Sequence, residues 1–261
     1  MLALKEMTKR FSAEADIRPF IQAYPQASMD LLAAWALDAN LHVRRLVSEG
    51  VRPRLPLCSA LPEFKKNPEP VLRLLELLKQ DPALYVRRSV ANCLNDISKD
   101  NPAACLQTLE AWNRFPTPEM AWLTRHALRG LVKQGHPGAL ALLGYDTQPQ
   151  VVVKEFQLAK GLLAMGEFLE FSLELQSNSN QSQQLVVDYL IQFQKQSGRL
   201  SPKVFKLTNL TLPAQGSKPL SKRHLLVQRS TRKLHPGRHR LKIQVSGVVL
   251  AGADFTLQEQ V

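Results

Sequence analysis

Glu49 has neighbours whose types and spacing suggest chemistry. Arg45 lies four residues before it and Arg52 three residues after it. On a helix the first spacing puts Arg45 on the same face as Glu49. Pro53 favours an extended backbone at Arg52. Arginines so placed hold a carboxylate ionised by lowering its pKa, and their forked N–H groups also suit phosphates. An ionised carboxylate stabilises a developing positive charge and orients an attacking water. The same spacing equally fits an ordinary salt bridge between Glu49 and Arg45. A second group is a run from Lys218 to Lys242 with nine basic residues and no acidic one: Lys218, Lys222, Arg223, Arg229, Arg232, Lys233, Arg238, Arg240 and Lys242. His224, His235 and His239 lie within it. Such a run grips phosphates or enters a minor groove; it also fits a solvated face whose lysines protect exposed strands.

Other chemistries have no foothold. There is no Gly-rich phosphate loop, nucleophile elbow, dinucleotide fingerprint or zinc-type cysteine spacing. Cys58, Cys93 and Cys105 are an odd number without paired spacing, which fits a reduced cytoplasmic interior better than a disulfide framework. His126 and His136 have no accompanying carboxylate motif, so no metal and no cofactor are expected. No stretch approaches the roughly 18–20 apolar residues of a membrane helix, and the N-terminus lacks the pattern of a signal peptide. The net charge of +12 points to a polyanionic partner, nucleic acid first.

The elements that must position these residues divide the chain in two. Residues 1–148 read as helices: segments 70–80 (PVLRLLELLKQ) and 101–112 (NPAACLQTLEAW) repeat apolar residues at helical spacing. Pro68, Pro82, Pro102, Pro118 and Pro137 fall near helix starts, where a missing N–H costs nothing. Residues 149–261 alternate instead, around Phe168 to Leu175, Val186 to Phe193, Val204 to Leu207, His239 to Val245 and Val248 to Leu257. Turn clusters SNSNQSQ, SGRLSP, PAQGSKP, HPGR and AGAD interrupt them. About seven short strands of this kind predict an antiparallel sandwich of immunoglobulin-like size. Charge is uneven: residues 1–148 are net +4 and residues 149–261 are net +8.

The helical part also repeats itself. Leu41-His42-Val43-Arg44-Arg45 returns as Leu84-Tyr85-Val86-Arg87-Arg88 after 43 residues, and again around Trp122-Leu123-Thr124-Arg125 after 38 more. A period near ~40 with two helices per unit marks a HEAT-like solenoid. The fold expected is therefore mainly α: an α-α superhelix of HEAT-like repeats over residues 1–148, then an antiparallel immunoglobulin-like β-sandwich over 149–261. Arg45, Arg88 and Arg125 would form a row on the concave face, with Arg52 and Arg54 beside it. Alternatively, each packs its stem and bridges neighbouring turns.

Four blocks then carry a resemblance: residues 11–21 (FSAEADIRPFI), 35–56 (WALDANLHVRRLVSEGVRPRLP), 85–102 (YVRRSVANCLNDISKDNP) and 122–144 (WLTRHALRGLVKQGHPGALALLG). They resemble the HEAT-like DNA alkylation repair glycosylases, specifically the AlkC branch. The resemblance implies removal of bases methylated on ring nitrogens, such as 3-methyladenine and 3-methylcytosine, without flipping the base into a pocket. It implies duplex DNA with alkylated bases as partner and an immunoglobulin-like C-terminal domain that completes a clamp. It also implies an active-site cleft at Glu49, Asp96 and Glu14. DNA contacts are expected at Arg45, Arg52, Arg54, Arg88 and Arg125, and in the second half at Lys222, Arg223, Arg232 and Lys233.

The chain departs from the family pattern in three ways. Family members carry further repeats before the position where this sequence begins, so an uncapped first repeat would invite self-association. Leu57 stands where AlkC-like sequences usually have Trp. Ala39 stands where the related AlkD branch has its catalytic Asp, four residues after a Trp that matches Trp35. Two other functions remain alongside catalysis: a protein that grips damaged or branched DNA without cutting it, and a protein–protein scaffold.

Overall fold

The computed structural model describes residues 1–230 and 233–258. By its contacts the chain forms two compact units, Met1–Leu131 and Val132–Val261.

The first unit runs through α1 (Leu2–Thr8), α2 (Arg18–Ala23), α3 (Pro25–Trp35), α4 (Leu41–Gly50), α5 (Pro62–Lys66), α6 (Glu69–Leu78), α7 (Leu84–Ile97), α8 (Pro102–Trp112) and most of α9 (Pro118–Lys133). Proline occupies one of the first two positions of α2, α3, α5, α6 and α8. The repeated motif opens α4 and α7, and its third copy lies one turn inside α9. Asn40 caps α4 by accepting the His42 N–H at 2.9 Å. On the approach to α7, Asp81 takes the Ala83 N–H at 2.9 Å, as Asp38 takes the Asn40 N–H at 2.8 Å before α4. α4 packs on α7, and Val43, Leu46 and Val47 of the one and Val86, Val90 and Leu94 of the other are all at 0% exposure. Each such side chain contributes roughly 1.5–3 kcal/mol by leaving water.

The second unit holds the last residues of α9, then α10 (Pro137–Leu142) and eight strands. They are β1 (Val151–Leu158), β2 (Leu162–Ala164), β3 (Phe168–Ser177), β4 (Gln183–Gln194), β5 (Leu200–Leu212), β6 (Ser217–Leu225), β7 (Gly237–Val245) and β8 (Val248–Gln258). One sheet has the order β1-β3-β6, and the other β2-β8-β7-β4-β5. All pairings are antiparallel except β2 with β8. The sheets meet over one core that includes Leu169, Phe171 and Leu173 from the first and Tyr189, Ile191, Leu241 and Phe255 from the second. Phe171 and Tyr189 touch edge to face at 5.3 Å.

Three expectations change here. With 38% helix and 30% strand, the chain is not mainly α but nearly balanced. The strands β1, β2 and β6 account for much of the difference: β6 (SKPLSKRHL) is a polar edge strand and β2 has three residues, so neither alternates visibly. The AGAD cluster, residues 251–254, is not a turn but lies inside β8, where a bulge opposite Ile243 and Gln244 absorbs the irregularity. The tight turn lies at Ser246 and Gly247, both with positive φ (43° and 88°), as a two-residue hairpin requires. Finally, the division by packing falls well before residue 148. Gly135 lies against the Gly247 turn so closely that a Cβ on Gly135 would meet the Gly247 Cα at 2.2 Å, which ties the end of α9 to the sandwich.

Candidate active site

The ion network begins at the C-terminal end of α4. Glu49 is 6% exposed there, and both its oxygens are occupied. Oε1 accepts from Arg52 Nη1 at 2.6 Å, and Oε2 from the Ser89 hydroxyl at 2.6 Å. Arg52 reaches onward: its Nε donates to Asp96 Oδ2 at 2.7 Å. Asp96 Oδ1 takes Lys99 Nζ at 2.7 Å. In the other direction Arg45 stands between two carboxylates, 3.7 Å from Glu49 Oε1 and 3.3 Å from Glu14 Oε1. Its guanidinium also lies 5.2 Å over the Tyr85 ring. Glu14, Glu49 and Asp96, far apart in sequence, thus share one chain of alternating charge.

Local structure explains the approach. Glu14 lies in the turn before α2. Gly50 ends α4 with so little room that a Cβ would sit 2.7 Å from Ile17, so glycine lets that turn close on the helix. Arg18, 2% exposed, pins the segment after α4 by donating to the Gly50 and Arg52 carbonyls at 2.9 Å each and to Ser59 O at 2.6 Å. Burial pulls the Arg18 pKa down. Burial pulls on Arg52 as well, but the bond to Asp96 and the charges of Glu49 and Asp96 outweigh it and leave that guanidinium above its ordinary value. A cation held between two buried carboxylates offsets part of the cost of burying all three groups.

Glu14 differs from the other two carboxylates. Its Oε2 is buried without a hydrogen-bond partner among the described residues. Its side chain is 21% exposed, against 8% for Glu49 and 2% for Asp96. A buried carboxylate oxygen without a donor is costly, and it is where a water or a cation would complete the shell.

The repeated Arg-Arg pairs divide their labour. The first arginine of each pair is structural. Arg44 bonds Asp81 at 2.5 and 3.1 Å and the Asp38 and Ala39 carbonyls, and Arg87 bonds the Asp81 and Pro82 carbonyls. The second points elsewhere: Arg45 to the carboxylates, Arg88 to solvent. Arg125 is also exposed. Arg54 is held by Asp100 through two bonds of 2.6 and 2.7 Å.

Sequence reasoning missed Ser89, Asn92, Tyr85 and Arg129. Ser89, Asn92 and Asp96 follow one another at helical spacing on α7. Asn92 Oδ1 accepts from Arg129 at 2.9 Å, so it must also accept from His126, 3.0 Å away, which then carries its proton on Nε2. His126 stacks on Trp122 at 5.1 Å. The signal was a polar stripe interrupting the apolar spacing of residues 84–97. Trp35, by contrast, is a core residue at 3% exposure. Cys93 and Cys105 are no nucleophiles: burial raises the first well above its usual value and the second to about 12.

Leu57 stands out on the pinned segment. It is fully exposed and has φ +62°, a left-handed conformation that branched side chains rarely adopt.

In the sandwich the basic run is unbroken in sequence but split in space. Arg223 projects from the three-stranded sheet and bonds Glu170 at 2.6 Å, 4.3 Å over the Phe168 ring. Arg238 and Arg240 project from the five-stranded sheet and share Asp254 at 2.5 and 3.7 Å. Lys222 is half-buried opposite Phe171. Lys233 is exposed, and Arg232 lies outside the described residues.

A chain from Pseudomonas fluorescens, the alkylpurine DNA glycosylase AlkC bound to DNA containing an abasic site analog, superposes with a TM-score of 0.94 at 41% identity, over 98% of this chain and 71% of that one. The Bacillus subtilis protein YhaZ, itself uncharacterized, is 37% identical over 254 residues, 97% of this chain and 70% of the relative. The chain belongs to the AlkC family. Residues 152–259 also match the family model of the C-terminal Ig-like domain of YhaZ. In this AlkC-family chain the three carboxylates that the matching blocks singled out lie in one network, while among the described residues of the basic run Arg223 lies on one sheet and Arg238 and Arg240 on the other.

Proposed function

We propose that this chain is a DNA glycosylase that hydrolyses the N-glycosidic bond of cationic N-methylated bases, of the 3-methyladenine and 3-methylcytosine type. The observation that carries the reading is the convergence of Glu14, Glu49 and Asp96 on the Arg45–Arg52 network. Membership of the AlkC family supports it, as does the DNA in the P. fluorescens complex.

The chemistry follows from charge. A base methylated on N3 is cationic while attached, so its departure needs little acid. When the C1′–N bond breaks, its electron pair goes to the base, which leaves neutral, and positive charge moves to the sugar. Water then bonds to C1′ and gives its proton to the carboxylate that orients it, which returns it to solvent. Carboxylates stabilise the cationic sugar and orient the water, as in glycosidases with the acid's task largely removed. Glu49 is the principal candidate. Glu14, with its unpartnered oxygen, would face the sugar or the water, and Asp96 would fix Arg52. Arg88 and Arg125, both exposed, would meet phosphates along a HEAT-like superhelix in the cytoplasm, without base flipping, while Arg45, expected from the sequence to do the same, holds Glu14 and Glu49 instead.

Release of methylated bases from alkylated duplex DNA tests this, comparing the chain with Glu49→Gln. Release that falls about 10²-fold or more in the variant, with DNA binding intact, is expected. No release from the unaltered, DNA-binding protein would overturn it and leave the second reading, a non-catalytic binder of damaged DNA. That reading draws on Glu49, whose two oxygens are already bonded, and on Leu57 in place of Trp.

A further inference from the structure

We infer that Tyr85 is a positioning residue of the carboxylate network: its ring holds the Arg45 guanidinium between Glu14 and Glu49. The inference rests on the catalytic reading proposed above and adds the residue that places its central cation.

The argument starts from what holds each arginine. Arg44, Arg52 and Arg54 all donate hydrogen bonds to carboxylates, at 2.5 to 3.1 Å. Arg45 does not. It lies 3.3 Å from Glu14 Oε1 and 3.7 Å from Glu49 Oε1, as ion pairs without a hydrogen bond among the described residues. Coulomb attraction falls slowly with distance and has no preferred angle, so by itself it fixes a long side chain poorly. Hydrogen bonds do fix angle, and Arg45 lacks them. What remains is the Tyr85 ring, whose centroid lies 5.2 Å from the guanidinium carbon. A ring face attracts a cation without occupying its in-plane N–H groups, which leaves them to the carboxylates.

The ring is itself held. Tyr85 lies in the first turn of α7, and Asp81 fixes the start of that helix by accepting the Ala83 N–H at 2.9 Å. Arg44 binds the Asp81 carboxylate and Arg87 its carbonyl. His42, from the first turn of α4, meets the Tyr85 ring edge to face at 5.7 Å. The first arginine of each pair thus builds the frame for the ring, and the ring places the second arginine of the preceding repeat.

The next repeat supplies the contrast. Arg88 follows Arg45 by 43 residues, and Leu123 follows Tyr85 by 38. Leu123 is fully buried and offers no ring face, and Asn92 stands where Glu49 does in the repeat before. Arg88, with neither ring nor carboxylate, is exposed. Without the ring Arg45 would sample the same freedom, and Glu14 and Glu49 would lose the cation that spaces them for the sugar and the water.

The test compares the full chain with Tyr85→Phe, which keeps the ring, and Tyr85→Leu, which removes it. Leucine is what the chain itself carries at the matching position of the next repeat, and Tyr85 is 42% exposed, so the fold should hold. The first readout is the heteronuclear NOE of the Arg45 Nε–H group, which needs neither DNA nor turnover. Arg45 should be ordered in the wild type and in Tyr85→Phe, and as mobile as Arg88 in Tyr85→Leu. The second readout is single-turnover release of methylated base, measured beside affinity for a duplex carrying an abasic-site analogue. Tyr85→Leu should slow release about 10- to 100-fold, the cost of misplacing a group by roughly 1 Å, with affinity unchanged within about twofold. Tyr85→Phe should keep the wild-type rate. An Arg45 that stays ordered in Tyr85→Leu overturns the inference. So does a Phe variant as slow as the Leu variant, or a Leu variant whose loss lies in affinity, which would put Tyr85 against the DNA itself. A wild type that releases no base overturns the catalytic reading alone, and the Arg45 NOE then decides whether the ring holds the guanidinium.

Discussion

The two units use positive charge in opposite ways. In the first, Arg44, Arg45, Arg52 and Arg54 are each bound to a carboxylate, and the pairs lie partly or wholly out of water. In the second, Lys195 and Lys233 form no ion pair among the described residues and stand in solvent. A buried, paired cation fixes the geometry of the carboxylates around it but is muted at long range. An exposed, unpaired cation orders nothing, yet it attracts a polyanion across a Debye length. The division suits a protein that must find an anionic polymer with one surface and hold a cationic centre with another.

The comparison breaks most directly at Arg52. Arg52→Met would leave Glu49 and Asp96 as neighbouring buried carboxylates, and should cost about 3–5 kcal/mol of stability in urea unfolding. A loss below ~1 kcal/mol would mean that the network is solvated and its order incidental. Next comes Leu57→Trp. An aromatic on a rigid, exposed segment should strengthen binding to the abasic-analogue duplex by about 1–3 kcal/mol through stacking. Unchanged affinity would remove this segment from the DNA surface.

The third probe is pH. Burial, more than any other cause, holds the His239 pKa below its ordinary value of 6.5. The unfolded chain therefore takes up the proton first. Stability linked to His239 is fully present above about pH 6.5 and is lost as pH falls through that value toward the folded one. Protonation also places a proton on Nδ1, where the Gln194 N–H now donates. Unfolding measured from pH 7.5 to 5 should decline more steeply for the wild type than for His239→Gln. Parallel curves would show that the imidazole titrates normally. The smallest effect is expected at Arg223→Ser, whose pair with Glu170 is exposed: less than about 1 kcal/mol. A larger loss would mean that sandwich pairs resemble those of the first unit.

The sequence by itself determined the two-part plan, because helical and alternating apolar spacings are local and need no partner to be visible. It determined the repeat and, through the four matching blocks, the family. Only tertiary structure decided which arginine of each pair is structural, since Arg44 and Arg45 are adjacent in sequence and a helix turns them 100° apart. It decided that Ser89 and Asn92 join the site, because a polar residue on α7 gains meaning only when α4 and α9 lie against it. It also decided that Arg223, Arg238 and Arg240 of the basic run face carboxylates across the strands. Glu170 and Asp254 are remote in sequence from the cations they neutralise, and cross-strand pairing brings them together. Coulomb interactions depend on distance in space, and spacing along the chain does not encode it.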